Sequence, residues 1–149
     1  MTDEELETVA KQWVSYQQAE MRSPEELELR PTIRSWSRLC WEDPESLWKL
    51  ILIIIRTDDS LRTDQMLAAG EVENLLCKHG PAFIDRVEAQ AKQDPRFAKI
   101  LGGTWGWTRM SPEVWTRVCA ARDQKAWNRI HEGIIDEVPS HNPANSTSE

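Results

Sequence analysis

Long apolar runs are missing from this chain. The longest unbroken one is Leu50–Ile55, far short of the ~20 residues needed to span a bilayer, so no membrane span is expected. No charged-then-apolar segment opens the chain, so no secretory signal is read. Cysteine is scarce. Cys40, Cys77 and Cys119 are scattered and odd in number, which excludes a secreted disulfide scaffold and predicts reduced thiols that behave as small apolar residues. Branched aliphatics and Phe are also thin: Leu, Ile, Val and Phe supply 31 of 149 residues, or 21%, just above the composition at which chains stay disordered. Eight Trp tip the balance toward folding, because each buries a large apolar surface. A chain of 149 residues is long enough for one domain with its own core.

Basic residues are scarce where acids are dense. Residues 1–31 carry eight acids and three bases, and residues 105–131 carry two acids and five bases. The last 18 residues carry four acids and no base, and the whole chain is at -7. An acidic chain is repelled on average by phosphate backbones, which weighs against a nucleic-acid partner.

Helix starts are well marked. Pro follows a good capping residue at Ser23-Pro24, Asp43-Pro44, Asp94-Pro95 and Ser111-Pro112. Pro suits the first helical position, and Ser or Asp before it accepts from the free N–H groups. Thr2 with Glu5 makes a capping box. Apolar spacing predicts a first helix over 3–21 and a short one over 24–29 ended by Pro31. A further short helix is read over 35–41, then a strongly buried helix from Pro44 through Ile55. A helix over 64–79 should stop at Gly80, with a new one opening at Pro81. A short helix at Pro95 and a final helix or helix pair from Ser111 complete the pattern. No strand pattern competes, so the fold expected is all-α: a compact multi-helix domain over 1–131 that suggests stacked helix pairs. Residues 132–149 read as a disordered polar tail.

Catalytic signatures are sparse. Gly102–Gly106 lacks the Lys-Ser/Thr of a phosphate-binding loop, and there is no Gly-x-Ser-x-Gly elbow. Cys77-x-His79 is the closest Cys/His pair, and His131 and His141 add no ligand spacing, so neither metal nor cofactor is expected. Glu73 draws attention on a helical wheel of about 100° per residue. It falls on the apolar face with Met66, Ala69, Leu76 and Cys77, whereas Glu71 and Lys78 point away. A carboxylate there must pair, protonate or reach the edge of the core. A structural hydrogen bond or ion pair is the favoured role, with a general acid or base as the alternative. Trp105 and Trp107 stand near Arg109, Arg117, Arg122, Lys125 and Arg129, a mix of aromatics and bases that can bind single strands. Core Trp residues and a solvated basic face are the simpler account.

One stretch carries a resemblance. Ala68-Ala69-Gly70, Glu73, Leu75-Leu76, His79-Gly80, Phe83-Ile84-Asp85, Ala91, Asp94-Pro95-Arg96-Phe97, Leu101-Gly102-Gly103 and Trp105 follow in order. Asp43-Pro44-Glu45 precedes them, and Trp115 and Trp127 follow. Over about residues 36–127 this resembles a family of small bacterial helical domains known only as a domain of unknown function. Where that pattern has Pro after the first Gly, this chain has Glu71. The resemblance implies a bacterial, cytoplasmic protein and brings no catalytic residues with it.

The functional expectation is a protein-binding module of the immunity-protein, antitoxin or small-inhibitor kind. Its partner would be another protein, met by Asp3, Glu4, Glu5, Glu7, Glu25, Glu26 and Glu28. An acidic face can cover a basic site and speed association. One alternative is an enzyme using a semi-buried Glu73 with His79 or Asp85. The other is a nucleic-acid binder using Arg117, Arg122, Lys125 and Arg129.

Overall fold

Helices begin where the sequence supplies caps. In the computed structural model, which describes residues 1–106 and 108–135, Thr2 Oγ1 accepts from the Glu5 N–H at 3.2 Å and Glu5 Oε2 accepts from the Thr2 N–H at 2.7 Å. Ser23, Asp43, Asp94 and Ser111 each accept a main-chain N–H, with Pro in the first turn behind them. The order is α1 (Asp3–Gln18), α2 (Pro24–Trp36), α3 (Leu39–Glu42), α4 (Pro44–Thr57), α5 (Leu61–Leu67), a π-helical turn (Ala68–Val72), α6 (Glu73–Gln93), α7 (Pro95–Leu101), α8 (Pro112–Ala121) and α9 (Gln124–Ile135). Among the described residues there is no strand, and the all-α reading holds.

α4 is the spine. Leu47, Leu50, Ile51, Ile53, Ile54 and Ile55 are all buried, as expected of a helix apolar on most sides. α1 lies along it and brings Leu6, Val9, Ala10 and Trp13 into the same core. α6 packs on α7 and α8, and α3 sits between α4 and α6. Trp48 joins the two halves, its ring 5.9 Å from Phe97 edge-on and 6.4 Å from Phe83.

Several helix bounds differ from the sequence reading. α1 ends at Gln18, and the chain turns into α2 through Arg22, whose φ of 64° is left-handed. α2 does not stop at Pro31 but runs through it to Trp36. The bond that Pro31 cannot donate would have gone to the Leu27 carbonyl. Both residues are exposed, so leaving that carbonyl without a helical donor costs little there. α5 starts earlier than expected, at a Ser60 cap.

The expected break at Gly80 is a kink. His79 sits at φ -132° and ψ 22° inside α6, and Pro81 behind it removes a helical bond and bends the axis. His79 Nε2 lies 2.5 Å from the Cys40 carbonyl. A carbonyl can only accept, so Nε2 carries the proton and ties the kink to α3. Gly80 does not cap a helix; it lets α8 approach. A Cβ there would stand 2.9 Å from Val114 Cγ1.

Arg96 closes the α4–α5 connection. Its Nε and Nη2 donate to Asp64 Oδ1 at 3.0 and 2.8 Å, and its other N–H groups reach the carbonyls of Ile55 and Asp58. The end of α4 is thereby satisfied from α7. Asp58 accepts in turn from the hydroxyls of Ser60 and Thr63, which hold its carboxyl below the usual range. α9 continues to Ile135, four residues into the stretch read as a tail. Residues 136–149, the rest of that stretch, lie outside the described residues.

Candidate functional site

The π-helical turn is the feature that departs most from the sequence reading. A π turn spends more residues per revolution than an α turn, so a wheel at the α period loses register through it. The wheel put Glu73 inside and Glu71 outside. In the structure both turn inward, to different surroundings. The assignment of Glu71 to the solvent face is therefore corrected. Such turns recur at functional sites, which makes this pair of carboxylates the place to look for chemistry.

Glu73 is 8% exposed and fully engaged. Oε1 accepts from the Trp105 N–H at 3.0 Å and Oε2 from Arg109 Nη1 at 3.2 Å. Arg109 Nη2 also donates to Asn74 Oδ1 at 3.3 Å. The side chain thus fastens the Gly102–Trp105 loop and the turn after it to the start of α6. Its surroundings are those of a paired, hydrogen-bonded structural carboxylate.

Glu71 lines a cavity of about 210 Å³ between α1, α2, α3, α4, the π turn and the start of α6. Trp13 Nε1 donates to its Oε1 at 2.8 Å. The residue keeps some surface because it borders the cavity, yet protein surrounds its carboxyl on the other sides. This burial pushes its pKa above the usual 4.5, against the opposing pull of the Trp13 bond. Trp13, Trp36, Leu47 and Leu50 form apolar walls, with Arg34 and Asn74 also lining the space.

The N-terminal acids divide. Asp3, Glu4, Glu5, Glu7, Glu25 and Glu28 are exposed. Glu26 is not: it is 6% exposed, bidentate to Arg30 at 2.7 and 2.8 Å, and accepts from the Tyr16 hydroxyl at 3.4 Å. Its place on an acidic surface is corrected. The i,i+4 spacing to Arg30 was the signal available in the sequence. Glu25 and Glu28 border a shallow groove between α1 and α2 that Lys11 also lines. Among the described residues none of these six exposed acids makes an ion pair.

The basic segment is largely engaged within the fold. Arg109 holds Glu73, and Arg117 pairs with Asp85 and Glu88. Arg122 lies over Trp127 at 3.7 Å and Trp115 at 5.4 Å, with Nε and Nη1 buried and without a hydrogen-bond partner. Lys125 and Arg129 are exposed. Trp105 packs on Trp127 at 5.6 Å, and Trp107 lies outside the described residues. The two alternative catalytic partners of Glu73 are thus placed elsewhere: His79 on Cys40 and Asp85 on Arg117.

Cys40 is buried, Cys77 and Cys119 are half-buried, and all three thiols are free, with burial raising each pKa. Among the described residues no group of three or more His, Cys, Asp or Glu could hold a metal ion. Among them, too, no helix is long and apolar enough to cross a membrane.

Comparison with known proteins adds a family. The model described as "Family of unknown function (DUF6869)" matches residues 17–126. No curated protein and no solved structure matches the chain.

Proposed function

The chain belongs to this family of unknown function, DUF6869, and we propose that it works as a protein-binding module whose docking face is the acidic start of α1 and α2. The observation that carries the reading is a contrast in how carboxylates are used. Buried Glu26 and Glu73 each hold an Arg. Asp3, Glu4, Glu7, Glu25 and Glu28 are exposed and hold no cation among the described residues. Met21 and Leu27, 83% and 50% exposed, are sequence neighbours of Glu25 and Glu28 at the start of α2. Apolar anchors within a charged rim are what interfaces are made of, and unpaired carboxylates steer a basic partner into contact. A basic protein surface, such as the phosphate-binding face of a nuclease, is the partner chemistry this suits. The module would then serve as an immunity protein, antitoxin or small inhibitor in the bacterial cytoplasm, a compartment in which three free thiols persist.

The engagement of Glu73 by Arg109 and the Trp105 N–H supports binding over turnover. The pairing of Arg117 and Arg109 with acids supports a protein partner over a nucleic acid. The test is capture from the native cell extract with the full chain and with a Glu25→Lys/Glu28→Lys variant. A basic protein retained by the first and lost by the second supports the reading. A partner retained equally by both removes the proposed face.

A further inference from the structure

We propose that the cavity beside the π-helical turn binds a small organic cation, an ammonium or guanidinium group on a short apolar stem, with the Glu71 carboxylate as its counter-charge. This site is independent of the acidic docking face.

Glu26 and Glu73 are enclosed carboxylates, and each has an Arg within 3.2 Å. Glu71 is half-buried at the edge of the cavity, and among the described residues it makes no ion pair; its partner is the Trp13 indole N–H. A carboxylate taken out of water needs a counter-charge or a proton. Here burial favours the proton and raises the Glu71 pKa. The walls set which cation the carboxylate could take in its place. Trp13, Trp36, Leu47 and Leu50 are apolar, and two indoles can also receive a cation on their faces. About 210 Å³ is below the roughly 300–1,000 Å³ of drug-sized pockets, so the ligand has a handful of heavy atoms and no room for a nucleotide.

Charged and titratable groups stand around the cavity on several elements. α2 brings Arg34, α3 brings the Cys40 thiol, and α4 brings only Leu47 and Leu50 among the walls. α6 brings Asn74, whose Oδ1 accepts from Arg109 Nη2, and Lys78, which with Arg109 acts on the Cys40 thiol. Arg34 is exposed, so water screens it, and it opposes the cation only weakly. An entering ammonium takes the place of the Glu71 proton. The proton leaves to solvent as the ion pair forms, so binding releases protons where Glu71 is protonated and weakens as pH falls through its raised pKa.

Titration of the full chain with n-butylammonium and n-butylguanidinium, followed by indole fluorescence and calorimetry, tests this. 1-Pentanol and pentanoate are the neutral and anionic controls. The expected result is saturable binding of the cations in roughly the millimolar range, as suits so few heavy atoms. Pentanol and pentanoate should bind about tenfold or more weakly, and Glu71→Gln should lose about tenfold or more for the cations. Arg34→Gln should strengthen cation binding modestly. Should Glu71→Gln fail to fold, wild-type calorimetry in two buffers of different ionisation enthalpy reads the proton release directly. Pentanol binding as well as butylammonium, no proton release at pH values where Glu71 is protonated, or no saturable cation binding would each overturn the proposal.

Discussion

Trp13 Nε1 donates to Glu71 Oε1 at 2.8 Å, across 58 positions of the chain. The bond links α1 to the π turn and fixes the Glu71 carboxyl inside. Removing the acceptor orphans a buried indole N–H, which costs about 1–3 kcal/mol. Glu71→Ala should therefore lower unfolding free energy by that amount in urea titrations, and Glu71→Gln by less, since an amide oxygen still accepts.

The same residue gives a pH signature. Burial raises the Glu71 pKa above 4.5, so the folded protein holds this proton where the unfolded chain has released it. The resulting stability is full below 4.5 and is lost as pH rises through the folded value. Asp43 and Asp58 act in the opposite sense. The Ser46 hydroxyl, and those of Ser60 and Thr63, hold them below 3.8, so their contribution is lost as pH falls through that lower range. Between the ordinary Glu value and neutrality, Glu71→Gln should gain stability relative to the wild type as pH rises. A difference independent of pH would show the carboxyl to be solvated.

Glu73 and Arg109 should respond unequally. Glu73→Ala leaves the Trp105 N–H without its acceptor and should cost about 1–3 kcal/mol. Arg109, 48% exposed, can turn to water, so Arg109→Ala should cost less than about 1 kcal/mol. Equal losses in the two variants would mean that the ion pair, and not the loop N–H, carries the effect.

Two glycines provide a packing test. A Cβ at Gly80 meets Val114 at 2.9 Å, whereas one at Gly70 meets nothing within 4 Å. Gly80→Ala should destabilise by about 1–3 kcal/mol, and Val114→Ala in the same chain should recover part of that in a double-mutant cycle. Gly70→Ala should be neutral or stabilising by up to about 1 kcal/mol.

Arg96 should not accept Lys. Its guanidinium serves Asp64 and the carbonyls of Ile55 and Asp58 at once, and a single ammonium cannot reproduce that fork. Arg96→Lys should cost about 2 kcal/mol or more, read from the urea midpoint at constant slope.

The parts of this fold that were legible are those written in local chemistry. Thr2, Ser23, Asp43, Asp94 and Ser111 cap the helices that their Pro and Glu neighbours announce. Leu50–Ile55 is helical, with five of its residues buried, and the inward turn of Glu73 followed from its apolar neighbours. The π turn was not legible. A turn widened over five residues leaves no period of its own, and the α wheel carried past it placed Glu71 on the wrong side. Pro31 reads as a stop by the usual rule, but its lost bond matters little where Leu27 and Pro31 are both exposed. Glu26 reads as one more acid beside Glu25 and Glu28, although Arg30 one turn on is the sign of a pair. The long-range partners, Arg109 for Glu73 and Arg117 for Glu88, depend on how helices pack and have no local signature.

The central functional claim concerns Glu25 and Glu28, and association kinetics address it most directly. With the captured basic partner purified, the association rate of the wild-type chain should fall steeply as ionic strength rises toward a Debye length of about 8 Å. Glu25→Lys/Glu28→Lys should be slowest relative to wild type at low salt, with the two rates converging as salt screens the face. Rates that are equal at low salt would contradict the account.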